Sequence, residues 1–261
     1  MASSVPVDYT YDRTKKYASH FSADAFMSID EVRITDVKDD ERLERQKKAA
    51  QVASDYYDMV SPMYEKGWGQ RFHYCPMTPG LSIEDSMTQY ELMFAGLVGL
   101  KKGMRVLDVG CGIGGPARTF ASSIGCEIVG ITNNAWHVER GQALTQASGL
   151  EKLVTHVQGD FLTLPFDDAS FDAAYAFDAM CYAPDQAAVY KEIYRVLKAG
   201  GTFGFSDWAM TDKFNEHDMN HRRIRNWIEF GNGITKMPLV EDMREGLKLA
   251  GRCFADSLSR D

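Results

Sequence analysis

Met-Arg-Val-Leu-Asp-Val-Gly-Cys-Gly-Ile-Gly-Gly-Pro-Ala, residues 104–117, decides how this chain is read. Val106, Leu107 and Val109 make the short apolar run that a buried parallel strand needs. Gly110, Gly112, Gly114 and Gly115 let the backbone turn sharply and approach a ligand closely. Pro116 suits the first turn of a following helix, where its missing N–H would have no partner anyway. A strand, a glycine turn and a helix in succession make a nucleotide-type site at the carboxyl edge of a sheet.

Dinucleotide enzymes also use such a turn, and two details separate them from this chain. Asp108 stands on the strand two residues before the first glycine. A carboxylate aimed into the turn opposes a pyrophosphate but suits a cation, such as the ammonium of an amino acid. A dinucleotide site also expects an acid about 20 residues on, for the ribose. The second strand here ends Gly130-Ile131-Thr132-Asn133, with none. The expected ligand is therefore S-adenosylmethionine and not NAD, with Gly110, Cys111, Gly112 and Gly114 as its turn.

The 261 residues suffice for one α/β domain with appendages. A formal charge of −8 speaks against nucleic acid as partner and against electrostatic adhesion to an anionic membrane. No stretch approaches the ~18–20 apolar residues of a spanning helix, and Met-Ala-Ser-Ser-Val-Pro does not begin a secretion signal. Five scattered cysteines without a C-x-x-C pair fit free thiols in a reducing compartment. A cytoplasmic location is expected, with peripheral membrane association as the alternative.

Residues 1–40 read as an arm with one short helix, and 39–57 as a helix opened by Asp39 or Asp40. Tyr56 to Tyr74 is dense in aromatic residues around Gly67 and Gly69, which favours a ligand cavity. Ser82–Leu100 reads as an amphipathic helix with Met87, Tyr90, Leu92, Met93 and Leu97 on its apolar face. Strands are expected at 104–109, 126–131, 154–158, 171–176 and 202–206. Helices are expected at 116–124, 135–148, 185–198, 216–230 and 241–250, with Lys198–Gly201 a helix stop and Cys253–Leu258 a sixth strand. This alternation predicts an α/β, Rossmann-like, doubly wound and mostly parallel sheet with helices on both faces. The expected division is an arm and aromatic segment over 1–80 and a cofactor-binding domain over 81–261, with a helical lid after strand five at 213–238.

Thr132, Asn133 and His137 stand where ribose hydroxyls would be held, while Asn134 can cap the next helix. Gly159-Asp160-Phe161 offers a carboxylate for an adenine amine and a ring to cover the base. Asp178 ends the fourth strand among apolar residues, where a carboxylate calls for a cationic partner. Asp207 ends the fifth strand in the same layer. His217 and His221 imitate a two-histidine zinc helix without a third ligand, so no metal is expected.

With these stretches in view, the chain resembles class I S-adenosylmethionine-dependent methyltransferases, and among them the sterol C-24 and small prenyl C-methyltransferases. The resemblance runs from about Tyr57 to Gly251, through Tyr64-Glu65-Lys66-Gly67-Trp68-Gly69, Phe72-His73, Leu107–Ala117, Gly159-Asp160-Phe161, Glu192–Leu197, Trp208–Lys213 and Glu229–Ile234. It implies methylation of an isoprenoid or sterol double bond through a carbocation. Tyr64, Trp68, Phe72, Tyr74 and Tyr182 would face the cation, Tyr74 also touching the cofactor and Glu229 the substrate. Glu65, Asp178, Asp207 or His73 would take the proton, with Glu65 and Asp178 favoured. Two departures stand out: such enzymes continue past residue 261, and they carry glutamates where this chain has Asp178 and Asp207. A homo-oligomer completing the sheet edge is expected. Methylation of a small molecule at nitrogen or oxygen, and a cofactor-binding scaffold, are the rival readings.

Overall fold

Val106, Leu107 and Val109 lie fully buried at the centre of a parallel sheet. A computed structural model describes residues 7–21 and 39–250. The strands are β1 (Arg105–Val109), β2 (Glu127–Thr132), β3 (Val154–Gln158), β4 (Phe171–Phe177) and β5 (Leu197–Ser206). Their order is β3-β2-β1-β4-β5, every pairing parallel. Strand order reverses beside β1, which opens a crevice between β1 and β4 at their carboxyl ends.

Alternation along β1 divides the core into two layers. Val106 packs with Ile128 and Tyr175 under α4 (Ile83–Val98) and α5 (Gly115–Ser123), which supply Phe94, Val98 and Phe120. Leu107 and Val109 face the other way, with Val129 and Ala174, under Val189 and Ile193 of α7 (Gln186–Val196). The helix α6 (Ala135–Ala147) crosses from β2 to β3, and α9 (Val240–Leu249) lies on α7. A separate cluster of Tyr17, Val52, Tyr56 and Val60 joins α1 (Val7–Ala18) to α3 (Ala49–Gly67). Among the described residues no helix is long and apolar enough to cross a membrane.

Five expectations need correction or fall outside this frame. The helix expected over 39–57 breaks at Lys48 into α2 (Asp39–Lys47) and α3, and α3 runs on through the aromatic stretch to Gly67. Pro62 inside α3 has no N–H for the Asp58 carbonyl, and Arg13 Nη1 donates to that carbonyl instead, at 2.5 Å. The apolar face of α4 is also rephased: Met87, Glu91, Phe94, Ala95 and Val98 are buried, while Leu92, Met93 and Leu97 are exposed. Helix α7 stops at Val196 because Leu197 already pairs with Phe171; Lys198–Gly201 is a bulge before Thr202 meets Ala173. The next helix, α8 (Met219–Asn232), starts three residues late because Asp218 caps it, which leaves His217 outside the helix that carries His221. The sixth strand expected at Cys253–Leu258 lies outside the described residues.

Gly115 shows what the glycine turn does for packing. A Cβ there would lie 2.2 Å from the Gln70 carbonyl oxygen, so only glycine lets the loop before Phe72 settle on α5. Gly115→Ala is expected to lower unfolding free energy by about 1–3 kcal/mol, the usual cost of overpacking. Urea denaturation monitored by circular dichroism checks this.

Candidate active site

The carboxyl ends of β1 to β4 open into a cleft of about 940 Å³. Asp108, next to last on β1, lines it and is 3% exposed. Tyr175 Oη donates to its Oδ2 at 2.7 Å, and no hydrogen bond from the described residues engages Oδ1. Burial pushes this carboxyl up to about 7. The glycine turn after it is clasped to β2, since the N–H groups of Gly110 and Cys111 both donate to the Ile131 carbonyl at 2.9 and 3.0 Å. Gly110 has φ 78°, and a Cβ there would lie 2.4 Å from that of Ala179. The turn can hug a ligand only as glycine.

Cys111 and Gly112 also line the cleft. Gly114 sits behind it, capping α5 and lying against the His156 ring. Thr132, the last residue of β2, and Asn133 just past it form the next stretch of wall, with Asn133 Nδ2 donating to the Ala50 carbonyl at 2.9 Å. Asn134 caps α6, accepting from His137 N–H at 3.0 Å. The His137 ring reaches the cleft with Nε2 2.7 Å from Ser61 Oγ, and burial holds it down to about 3, hence neutral. Asp160 and Phe161 close the far end; Asp160 Oδ1 accepts from Leu162 N–H at 2.9 Å, so this acid both shapes its turn and faces the cleft.

The opposite wall is aromatic. Tyr57 from α3, Phe72, Phe177 and Tyr182 line the cleft, and Tyr57, Phe72 and Tyr182 continue into a smaller chamber of about 280 Å³. There Tyr64, Trp68, Tyr74 and Trp208 join them. Edge-to-face contacts lock the rings: Tyr64 to Trp68 and to Phe72 at 5.6 Å, Trp68 to Tyr74 at 4.8 Å, Tyr74 to Trp208 at 5.1 Å. The Tyr57 and Tyr182 hydroxyls are 2.9 Å apart, and Tyr182 Oη donates onward to the Asn232 carbonyl at 3.0 Å.

Asp178 borders both spaces. It stands in the left-handed region at φ 46°, its N–H donating to the Ser206 carbonyl, which swings the carboxylate into the gap. Its Oδ2 accepts from Tyr74 N–H at 2.8 Å, so a backbone donor takes the place of the expected cation. Burial pushes this carboxyl up to about 6.

Other expected site residues are held elsewhere. Arg140 on α6 forks onto Glu65, with Nε 2.9 Å from Oε2, and Glu65 lines neither space. A carboxylate gripped this way is a poor proton acceptor. Asp207 accepts from Cys181 N–H at 3.1 Å and Trp208 N–H at 2.7 Å and also lines neither; burial and the nearby Asp178 push it up to about 7. Glu229 is 1% exposed and ties α8 to α2 through Arg42, while accepting from Met237 N–H at 2.8 Å. It lines neither space, and its bonds tie α8 to α2 and to the segment at Met237. The Tyr74 ring belongs to the aromatic chamber and not to the cleft at the glycine turn.

His73 does line the cleft, stacked on Phe177 at 4.6 Å. Its Nδ1 lies 3.0 Å from the Tyr74 carbonyl and its Nε2 2.9 Å from Glu91 Oε1. Both nitrogens are therefore committed within the protein. Glu91, fully buried, also receives Arg71 Nε at 3.0 Å. Sequence reasoning missed this Arg71-Glu91-His73 group. The signal was present: Glu91 falls four residues after Met87 and three before Phe94, on the stripe that is buried.

Since Glu65, among the described residues, bonds only to Arg140 across the surface of two helices, Glu65→Gln is expected to cost under about 1 kcal/mol and to leave turnover within about two-fold. Thermal denaturation and steady-state rates check both.

Comparisons with known proteins agree with this geometry. A family profile described as a methyltransferase domain matches residues 107–205. The sterol 24-C-methyltransferase of Neurospora crassa is 43% identical over 211 residues, 81% of this chain and 56% of that protein. The cycloartenol C-24-methyltransferase of Arabidopsis thaliana is 40% identical over 208 residues, 80% of this chain and 62% of that protein. Among solved structures, the 4+2 cyclase SpnF superposes with a TM-score of 0.67 at 28% identity, covering 77% of this chain and 72% of that one. The chain thus spans somewhat over half the length of these curated relatives. Residues 107–205 thus match a methyltransferase domain, and over about four fifths of its length the chain is similar to sterol 24-C-methyltransferases.

Proposed function

We propose that the chain binds S-adenosylmethionine in the cleft and transfers its methyl group to a carbon of an isoprenoid double bond, on a sterol side chain or a prenylated compound. The observation carrying this reading is the pairing of a glycine-turn cleft headed by a buried, half-satisfied acid with an aromatic chamber that shares Asp178. Both the cleft and its polar groups fit the donor. Asp108 Oδ1 is open to an ammonium, Thr132 and Asn133 to a ribose, Asp160 and Phe161 to an adenine. When bound, this cofactor supplies an electrophilic methyl on a sulfonium.

The chain's own residues do the rest. Tyr57, Phe72 and Tyr182 present π faces where an alkene would turn cationic, each worth ~0.5–2 kcal/mol to a desolvated cation. The ring contacts hold those faces in place, so little reorganisation is needed when charge develops. Asp178, raised toward neutrality and bordering both spaces, accepts the proton that the methylated cation loses. In this reading the aromatic segment within residues 1–80 and the lid at 213–238 cover the acceptor, the sheet edge within 81–261 carries the donor, and Tyr57 and Phe72 border both spaces. Incubation with methyl-labelled donor and a panel of sterols and prenylated indoles tests the proposal. Label on carbon is expected; label on nitrogen or oxygen would refute it.

A further inference from the structure

From the described residues the Asp178 carboxylate receives one hydrogen bond, and it comes from a loop: Tyr74 N–H, at 2.8 Å. Residues 69–82 form neither helix nor strand, and the Tyr74 side chain is 53% exposed. A peptide in such a segment moves unless something buried holds it. The neighbouring His73, 2% exposed, is that anchor. Its Nδ1 lies 3.0 Å from the Tyr74 carbonyl, which can only accept, so Nδ1 donates. Tyr74 is thus held through both backbone groups, its carbonyl by His73 and its N–H on Asp178.

The ring is itself fixed from behind. Nε2 lies 2.9 Å from Glu91 Oε1 on α4, and Phe177 stacks on the imidazole at 4.6 Å. Arg71 braces Glu91 through Nε and reaches Thr88 on α4 and Thr119 on α5, both at 3.2 Å. Helices α4 and α5 therefore lead through Arg71, Glu91 and His73 to one backbone N–H. We infer that His73 is the positioning residue of Asp178, clamping the Tyr74 peptide so that the carboxylate faces the aromatic chamber. This inference rests on the proton-accepting part proposed for Asp178 above.

Other titratable groups face Asp178 as well: Tyr57 from α3, Tyr74, Tyr90 from α4, Cys181 in the next turn and Asp207 after β5. Of these and His73, only the imidazole can be a cation. Burial raises the Asp178 carboxyl, while first the Tyr74 N–H and then the His73 charge hold it back. Two substitutions separate those influences. His73→Asn leaves an amide N–H near the Nδ1 position, whereas His73→Gln carries its amide out to the Nε2 position beside Glu91. Both remove the charge, so the difference between them reads the clamp.

Carbon-13 spectra of protein labelled at the aspartate carboxyls make the test without donor, acceptor or turnover. The Asp178 signal is the one missing from Asp178→Asn. Its midpoint is expected at about 6 in the parent, about one unit higher in His73→Gln, and shifted less than about half as far in His73→Asn. The acid limb of kcat should move with it, at little change in KM. If the limb stays while the midpoint moves, the clamp holds and the base reading alone falls. In the parent, nitrogen-15 spectra should show His73 Nδ1 protonated throughout, a check that needs no substitution. A midpoint that His73→Gln leaves unchanged, equal shifts in the two variants, or a bare Nδ1 would each overturn the assignment.

Discussion

Asp178→Asn is expected to lower kcat by about 10²–10⁴-fold, the range for removing a positioned general base. The substitution is nearly isosteric, and the amide oxygen can still accept from Tyr74 N–H, so KM for the donor should change little. Of the four candidate acceptors, three are otherwise engaged. Glu65 is held by Arg140, Asp207 by two backbone N–H groups, and His73 has both nitrogens committed. The pH profile provides a second readout. A base raised to about 6 must be ionised to work, so kcat should climb tenfold per unit at acid pH and level off above about 6. That limb should vanish in the residual activity of the variant. A profile unchanged by Asp178→Asn would assign the proton to another group.

Asp108→Asn is expected to weaken donor and product binding by about 10- to 150-fold, because hydrogen bonds to charged partners contribute ~1.5–3 kcal/mol. The protein itself should not suffer. Burial already raises its carboxyl to about 7, so the folded state favours the protonated form. Compared with an unfolded aspartate, that preference contributes stability below about pH 4 and loses it as pH rises through 7. Above neutrality the variant should therefore melt no lower than the parent. Equilibrium dialysis and thermal scans at pH 7.5 separate the two effects.

The parallel sheet and the cleft at the glycine turn were legible in the sequence because both rest on local signals. An apolar run, a glycine turn and Pro116 fix a strand and helix within fourteen residues, and Asp108 sits inside that window. The Asn134 cap is equally local. The settings of Glu65 and Glu229 were less legible because they depend on partners far along the chain. Glu65 and Arg140 are 75 residues apart, and Glu229 and Arg42 are 187 apart. Nothing near either acid in the sequence announces its guanidinium. The α4 stripe was misphased for a related reason. The apolar face drawn through Leu92, Met93 and Leu97 leaves out Glu91, which Arg71 and His73 satisfy inside. The helix end at Val196 was set by strand pairing with Phe171 and overrode the glycines at 200 and 201.

The central claim is that Asp108 grips the ammonium of the donor, and calorimetry of S-adenosylhomocysteine binding tests it most directly. An acid near pKa 7 in the free protein must ionise when a cation docks on it, so binding should release close to one proton at pH 6. Release should fade toward pH 8, and affinity should rise with pH up to about 7. Titrations in two buffers of different ionisation enthalpy count that proton, which Asp108→Asn should abolish. Binding with no proton released at pH 6, or no binding at saturating ligand, would contradict the account.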